Sequence, residues 1–187
     1  TVSPIIQTPE SLTIEANSQN NIVDLDIISA NDVVGVLSIS NNAPEFFPLG
    51  ETIVTWTATD ESGNSSSDIQ VVKIVDTTAP TIIQPIEVIA NATSFTNTQI
   101  ELSPPEVFDS VTDVKLENNT NNSFAFGETI VTWTATDESG NSSSVTQQIM
   151  ISDTVLPIMI LPADIEYEAT SIDQNIVDLG IADAVDS

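Results

Sequence analysis

The run from Gly50 to Ser67 (Gly-Glu-Thr-Ile-Val-Thr-Trp-Thr-Ala-Thr-Asp-Glu-Ser-Gly-Asn-Ser-Ser-Ser) recurs without a change at Gly127 to Ser144, 77 residues later. A fixed period of this size means that the chain is built from like units, each able to bury its apolar face only with help from its own strands and its neighbours. The same spacing carries Phe47 onto Phe124, Asp76-Thr77 onto Asp153-Thr154, and Asp32 onto Asp109 and then Asp186. Two periods carry Asn21-Ile22-Val23-Asp24-Leu25 onto Asn175 to Leu179. The expected organisation is therefore a first repeat over 1–76, a second over 77–153, and the N-terminal part of a third over 154–187, too short to close by itself.

Inside each repeat the apolar spacing has period 2. Val54, Trp56 and Ala58 alternate with Thr55, Thr57 and Thr59, which predicts a strand with one buried face and one threonine face. Asp60-Glu61-Ser62-Gly63-Asn64 supplies a turn, with Gly and Asn where positive φ is needed. Ile69 to Val75 returns as the partner strand with Val72 and Ile74 inward, matched by Ile149 and Ile151. Leu12, Ile14 and Ala16 alternate again, as do Val88, Ala90 and Ala92, and Ile165, Tyr167 and Ala169. No window has sustained helical spacing, and Pro44, Pro48, Pro104 and Pro105 interrupt the middle of the repeats. The reading is all-β: tandem immunoglobulin-like β-sandwich repeats of about seven short strands, with Trp56 and Trp133 as core aromatics. A unit this small buries only about 60 to 65% of its unfolded surface.

Charge then removes whole classes of function. Of 187 residues 28 are Asp or Glu, two are lysines (Lys73 and Lys115), and none is Arg or His, giving a net charge near −26. Two cations do not neutralise a phosphate backbone, so nucleic acid is excluded as a partner, and an anionic membrane surface likewise. Ser-His and Cys-His nucleophiles and guanidinium clamps are absent. Carboxylate catalysis would need one buried acid facing one base across a cleft, and these acids stand on turns and strand faces of a repeated module, so the expectation is a protein that is not an enzyme. No cysteine is present, no apolar run is long enough to span a bilayer, and no signal peptide opens the chain, which reads as a mature or excised fragment.

The sequence resembles the hyalin-repeat (HYR) family of immunoglobulin-like domains. The resemblance lies in Phe47-Pro48-Leu49-Gly50, then Thr52-Ile53-Val54-Thr55-Trp56-Thr57-Ala58-Thr59-Asp60, then Ser62-Gly63-Asn64, then the junction Asp76-Thr77-Thr78-Ala79-Pro80. The second copy carries it in Phe124-Ala125-Phe126-Gly127, Val131 to Asp137, Ser139-Gly140-Asn141 and Asp153-Thr154-Val155-Leu156-Pro157. Animal members usually carry a cysteine pair, so the resemblance is to the prokaryotic branch found in large bacterial and archaeal surface proteins. It implies an extracellular structural or adhesive role and brings no catalytic residues.

Several acids are candidate calcium ligands. Asp60, Glu61 and Asn64, with their copies Asp137, Glu138 and Asn141, gather carboxylates and amide oxygens within five residues. The alternative is that Asp and Asn bond their own turn in Asx fashion. Asp76 and Asp153 stand at the junctions, near the loops of Asp32, Asp109 and Asp186, where a cation would bridge neighbouring repeats; the alternative is a capped turn ahead of Pro80 or Pro157. Asp164, Glu166 and Glu168 would share one strand face, either as a wet face or as a cation-bridged row. Glycosylation acceptors occur at Asn64, Asn91, Asn118, Asn121 and Asn141, little more often than chance allows.

Two functions fit. The first is a stiff extracellular array, part of a cell-surface layer or fibre, that assembles with copies of itself and attracts divalent cations. The second is an adhesin stalk or a module binding a glycan or protein, against which the identical, aromatic-free Asp60 and Asp137 loops argue.

Overall fold

The computed structural model describes residues 2–7, 9–173 and 175–185. Its backbone groups into two compact units. One comprises Thr1–Gln84, Pro104–Asn118 and Thr132–Val145; the other comprises Pro85–Ser103, Asn119–Val131 and Thr146–Ser187. The architecture is all-β, of tandem sandwich repeats.

A long hairpin organises each repeat. In the first copy Gly50–Asp60 pairs antiparallel with Ser65–Val75 over ten residue pairs, Gly50 opposite Ile74 and Thr59 opposite Ser65. Alternation does what the pattern dictates. Val54, Trp56 and Ala58 are buried and the intervening threonines half-exposed. Across that outer face hydroxyls meet in pairs, Thr57 with Ser67 at 3.0 Å and Thr59 with Ser65 at 3.1 Å. Such cross-strand pairs hold the register that a slip by one residue would invert. The strand Val36–Asn41 extends the sheet on one side. On the other, Leu12–Glu15 adds in parallel, with Leu12 opposite Val72 and Ile14 opposite Ile74.

Strand order recurs in the second copy as Val114–Asn118, Gly127–Asp137, Ser142–Ser152, Val88–Asn91. The last strand is again parallel, pairing Val88 with Ile149 and Ala90 with Ile151. Short antiparallel pairs form the opposing layer. Ile5–Ile6 lies with Ala30–Asn31, and Thr81–Ile82 with Val107–Phe108.

Phe47 is the largest fully buried side chain of the first copy and Phe124 of the second. The Trp pair is buried as expected, but its indole nitrogen needs a partner in an apolar core. Trp56 Nε1 donates to Gln70 Oε1 at 3.0 Å, and Gln70 Nε2 in turn donates to the Glu10 carbonyl at 2.9 Å. Gln147 Nε2 reaches the Ile86 carbonyl at 2.8 Å in the second copy. Gln70 and Gln147 are thus satisfied buried amides tying the sheet to the entering chain.

The third segment forms Ile158–Ile160 paired with Asp183–Val185. Expected alternation at Ile165, Tyr167 and Ala169 produces no strand there, and all three are exposed. The physical reason is the missing partner. In the complete repeats this stretch is held by parallel pairing to the second hairpin strand, and no corresponding hairpin lies in this segment. Asp164, Glu166 and Glu168 therefore share no strand face.

Core and face assignments differ measurably by substitution. Ile74→Ala, at a fully buried position, is expected to lower unfolding free energy by about 2 to 5 kcal/mol. Ile53→Ala, 61% exposed on the same hairpin, should stay within about 0.5 kcal/mol. Urea denaturation of both variants checks the contrast.

Candidate functional site

The repeated turn closes on its own aspartate. Asp60 Oδ1 accepts the backbone N–H of Ser62 and of Asn64, both at 2.8 Å, while Oδ2 accepts Asn64 Nδ2 at 2.7 Å. Gly63 takes φ +85° and Gly140 +92°, a conformation that side-chain-bearing residues rarely adopt. The copy repeats the geometry: Asp137 Oδ1 accepts Asn141 N at 2.8 Å and Oδ2 accepts Asn141 Nδ2 at 2.8 Å. Hydrogen bonding to the charged form lowers an acid's pKa. The Asn64 side-chain amide holds the Asp60 carboxyl below the ordinary range, helped by the turn N–H groups and opposed by burial. For Asp137 burial is the largest influence and pushes upward, but the Asn141 amide and the turn N–H groups together outweigh it.

In the second copy the same turn has a further task. Asn141 Nδ2 also donates to the Asp76 carbonyl at 3.1 Å, and the Ser139 hydroxyl donates to Asp76 Oδ2 at 3.1 Å. Asp76 Oδ1 accepts Thr78 N at 3.1 Å. The Ser143 hydroxyl donates to the Pro80 carbonyl. Glu15 grips the same stretch from the first repeat, accepting Thr77 N at 2.7 Å, Thr77 Oγ1 at 3.0 Å and Thr78 Oγ1 at 3.2 Å. The backbone N–H of Thr77 is the main reason its carboxyl lies below the usual range.

Beside this polar clasp sits an apolar plug. Asp109 Oδ1 accepts the N–H of Val111 at 2.8 Å and of Thr112 at 3.0 Å. The loop so formed places Val111, only 3% exposed, in one hydrophobic cluster with Ala16, Ile28, Phe47, Val54, Trp56, Val72 and Ile74 of the first repeat. Glu138 N donates to Thr112 Oγ1 at 3.4 Å, joining plug loop and turn. These elements, all within the first compact unit, make a joint between successive repeats.

Among the predicted site residues, Asp76, Asp137 and Asn141 therefore come together here. Glu61 and Glu138 are exposed at their turns. Asp153 accepts Val155 N at 2.9 Å as a turn cap, and Asp32 accepts Val34 N at 2.8 Å. Asp186 lies outside the described residues. Among the described residues no three Asp or Glu side chains gather as a metal ligand set. The amide nitrogens of Asn64 and Asn141, which a glycan would modify, are both engaged in turn closure, whereas Asn91 and Asn121 are exposed. Sequence reasoning missed Glu15, Val111 and Asn21. Asn21 Oδ1 accepts Asn17 N at 3.1 Å and its Nδ2 donates to the Ser18 carbonyl at 3.0 Å, and Asn175 repeats both kinds of contact in the third segment. The recurrence of Asn21 at Asn175 was the available signal. Glu15 offered none, since its partners lie 62 and 63 residues away.

The family model described as HYR domain matches residues 1–74 and 75–151. Hyalin of Lytechinus variegatus is 30% identical over 185 residues, covering 87% of this chain and 34% of that protein. Hyalin of Strongylocentrotus purpuratus is 32% identical over 137 residues, covering 68% of this chain and 11% of its own length. The sushi, von Willebrand factor type A, EGF and pentraxin domain-containing protein 1 of Rattus norvegicus is 30% identical over 129 residues, 66% of this chain and 4% of that protein. The chain thus spans about a third or less of the length of these relatives. The crystal structure of Drosophila N-cadherin EC1-4 aligns at 15% identity with TM-score 0.41, over 81% of this chain and 50% of that one.

Lowered carboxyl pKa values set the sign of an acid response. Asp60, Asp137 and Glu15 stabilise the fold fully above their unfolded values, and that contribution is lost as pH falls through the lower folded values. Asp60→Asn should lower Tm at pH 7, with the gap to the parent closing below about pH 4, near the ordinary carboxylate value. Thermal melts of both proteins from neutral to acid pH check this.

Proposed function

The chain belongs to the HYR domain family, and from that premise we propose that it is a stretch of a non-catalytic extracellular structural protein, an array of immunoglobulin-like repeats serving a cell-surface layer or fibre. The observation that carries this reading is the joint. Val111 seats in the core of the preceding repeat while Ser139 and Asn141 clasp Asp76, so the connection has both an apolar contact and fixed polar partners. Folding units in this reading follow the period: 1–76, 77–153, and the first part of a third from 154. The lack of cysteine is the feature that supports our reading of the chain as one of the prokaryotic surface-protein branch, and self-assembly with like repeats is its working partnership in that reading.

Net charge supplies the second element. At −26 the folded chain repels itself and draws cations to its surface, over a range of about 8 Å at physiological salt. Calcium is the divalent ion we assign to this role. Asp60 and Asp137 have their carboxylate oxygens already bonded within their turns, which supports a gathered ion layer over tight chelation at those turns. Tm is expected to rise with calcium and fall back with chelator, and sodium chloride should reproduce most of the rise at matched ionic strength. A midpoint indifferent to both salts would remove the cation role.

A scattering experiment tests the array. Val111→Ala deletes two buried carbons, a loss of about 1.5 kcal/mol at roughly 0.8 per carbon, and Val111→Asp breaks the plug. Small-angle X-ray scattering of the parent should fit a fixed joint between the first two repeats, while Val111→Asp should broaden the distance distribution as the repeats come apart. Parent scattering that already matches freely jointed repeats would overturn the reading.

A further inference from the structure

Five Asn-x-Ser/Thr acceptors stand in the chain, at Asn64, Asn91, Asn118, Asn121 and Asn141, and their number alone decides nothing. What separates them is the side-chain amide. An Asn amide has two N–H donors, and attachment of a sugar to Nδ2 replaces one of them with a bulky, hydrated group. A usable acceptor therefore has an Nδ2 that the fold does not need and a side chain that faces solvent.

Three of the five fail on one count or both. Asn141 Nδ2 donates to Asp137 Oδ2 at 2.8 Å and to the Asp76 carbonyl at 3.1 Å. Asn64 is half-buried, and its Nδ2 donates to Asp60 Oδ2 at 2.7 Å. Asn118 ends the strand Val114–Asn118 directly opposite the buried Trp133, and residues so paired share a face of the sheet; it too is half-buried. Asn91 is exposed, but it lies in the parallel ladder opposite Ser152, and its Oδ1 accepts the Thr154 hydroxyl at 2.8 Å. The chain there is extended and tied to the start of the third segment.

Asn121 differs on every count. It is exposed, in the turn between Val114–Asn118 and Ser123–Phe124. Its Oδ1 accepts the backbone N–H of Ser123 at 3.2 Å, an Asx turn that spans the acceptor tripeptide itself. Thr120 Oγ1 accepts Asn122 N at 3.0 Å, and Asn122 takes φ +64°, so the bend is set by two side chains in succession. While Oδ1 is held on the backbone, Nδ2 makes no hydrogen bond among the described residues. The turn is anchored within its own repeat: Ser123 pairs with Gln99, Ile100 N donates to the Asn122 carbonyl at 3.0 Å, and the Ser123 hydroxyl donates to Asn97 Oδ1 at 2.6 Å.

We propose that Asn121 is a site of N-glycosylation, with Nδ2 carrying the sugar and Ser123 as the hydroxyl residue of its acceptor tripeptide. The proposal rests on the extracellular part of the array reading, since this acceptor is used in secreted chains. Its co-substrate is a lipid-linked oligosaccharide phosphate, brought by a separate transferase. A bond forms between Nδ2 and the anomeric carbon, the bond from that carbon to the phosphate oxygen breaks with its electron pair leaving on the lipid phosphate, and Nδ2 gives up one proton. Nothing is oxidised or reduced. The product amide keeps Oδ1, so the bond from Ser123 N survives and the turn stays closed beneath the glycan. Because the folded chain holds the Ser123 hydroxyl on Asn97, transfer precedes closure of that pair.

Glycopeptide mass spectrometry on the full chain, purified from the cells that make it, tests this. Cleavage after Glu117 and Glu128 releases residues 118–128, which hold Asn118 and Asn121 and none of the other acceptors, and fragmentation of that peptide assigns the sugar. The expected result is a sugar on Asn121, with Asn64, Asn118 and Asn141 bare. Asn121→Gln should lower the intact mass by one glycan while melting as the parent does. Ser123→Ala should lower it equally with Asn121 in place, a loss that a merely structural role of Asn121 does not produce. A bare Asn121, a sugar on Asn118 or Asn91 in its stead, or an intact mass that neither variant lowers would each overturn the proposal. Protease added to intact cells keeps the two readings apart. A chain that it cleaves but that is bare at Asn121 loses the glycan and leaves the array reading standing, whereas a chain that it cannot reach fails the extracellular reading and this proposal with it.

Discussion

Closure of the hairpin turn by its own aspartate is the interaction on which the rest of the structure depends. With Asp60 or Asp137 receiving the turn's N–H groups and the amide of Asn64 or Asn141, two eleven-residue strands leave the turn in one register. Register decides which face is apolar, since a one-residue slip would turn Val54, Trp56 and Ala58 outward. It also fixes where Val72 and Ile74 stand, and these are the residues that Leu12 and Ile14 meet in parallel pairing. Sheet, core and entering strand are thus all set from one carboxylate. The same turn then serves the joint, because closing it places Ser139 and Asn141 against Asp76.

What was legible in the sequence follows from range. The period is legible because the run repeats residue for residue, while the alternation of the hairpin and the Asx alternative for Asp60 are local patterns that physics within five to eleven residues decides. The glutamine beneath the tryptophan and the glutamate at the junction are decided by residues sixty or so positions away, and no local pattern announces such a partner. Val111 is the sharpest case. On its own it is one valine in a loop, and only the packing shows that it belongs to the core of the preceding repeat. The third segment errs in the other direction: Ile165, Tyr167 and Ala169 carry the right alternation, yet period 2 stabilises a strand only where a neighbour supplies hydrogen bonds, and that neighbour is a hairpin the segment does not contain.

The acids divide into two populations that composition merges. Asp60, Asp137, Asp76, Asp109 and Glu15 accept hydrogen bonds from turn or junction groups, so N–H and O–H donors are their partners in place of basic side chains. This explains how a chain with two lysines folds at all: its structural carboxylates do not need cations as partners. Glu61, Glu138 and other exposed acids make up the second population. Their mutual repulsion is long-ranged at low salt and is what ions in solution relieve. Lys73 and Lys115 contribute little, since their pairs with Glu51 and Glu117 are exposed.

Comparison of the two copies shows which parts of the joint tolerate change. The hairpin turn, Asp60 to Asn64 and Asp137 to Asn141, is identical in the two copies, whereas the plug loop is not, with Val33 and Gly35 standing where the second copy has Ser110 and Thr112. The socket side changes as well. Leu49 gives way to Phe126, Asn21 to Thr98, and Glu15, opposite Val75 in parallel pairing, to Asn91, opposite Ser152. The two polar substitutions each keep a local bond, as Thr98 Oγ1 accepts Thr93 N at 3.1 Å and Asn91 Oδ1 accepts the Thr154 hydroxyl at 2.8 Å, while altering what the socket presents. A constant turn beside a varying loop and socket leaves the first repeat ending in Leu49 and the acid clasp, and the second in the exposed stacked rings of Phe95 and Phe126. Change is thus confined to the ends that meet other parts of the chain, while the hairpin turn that each repeat needs in order to fold stays the same.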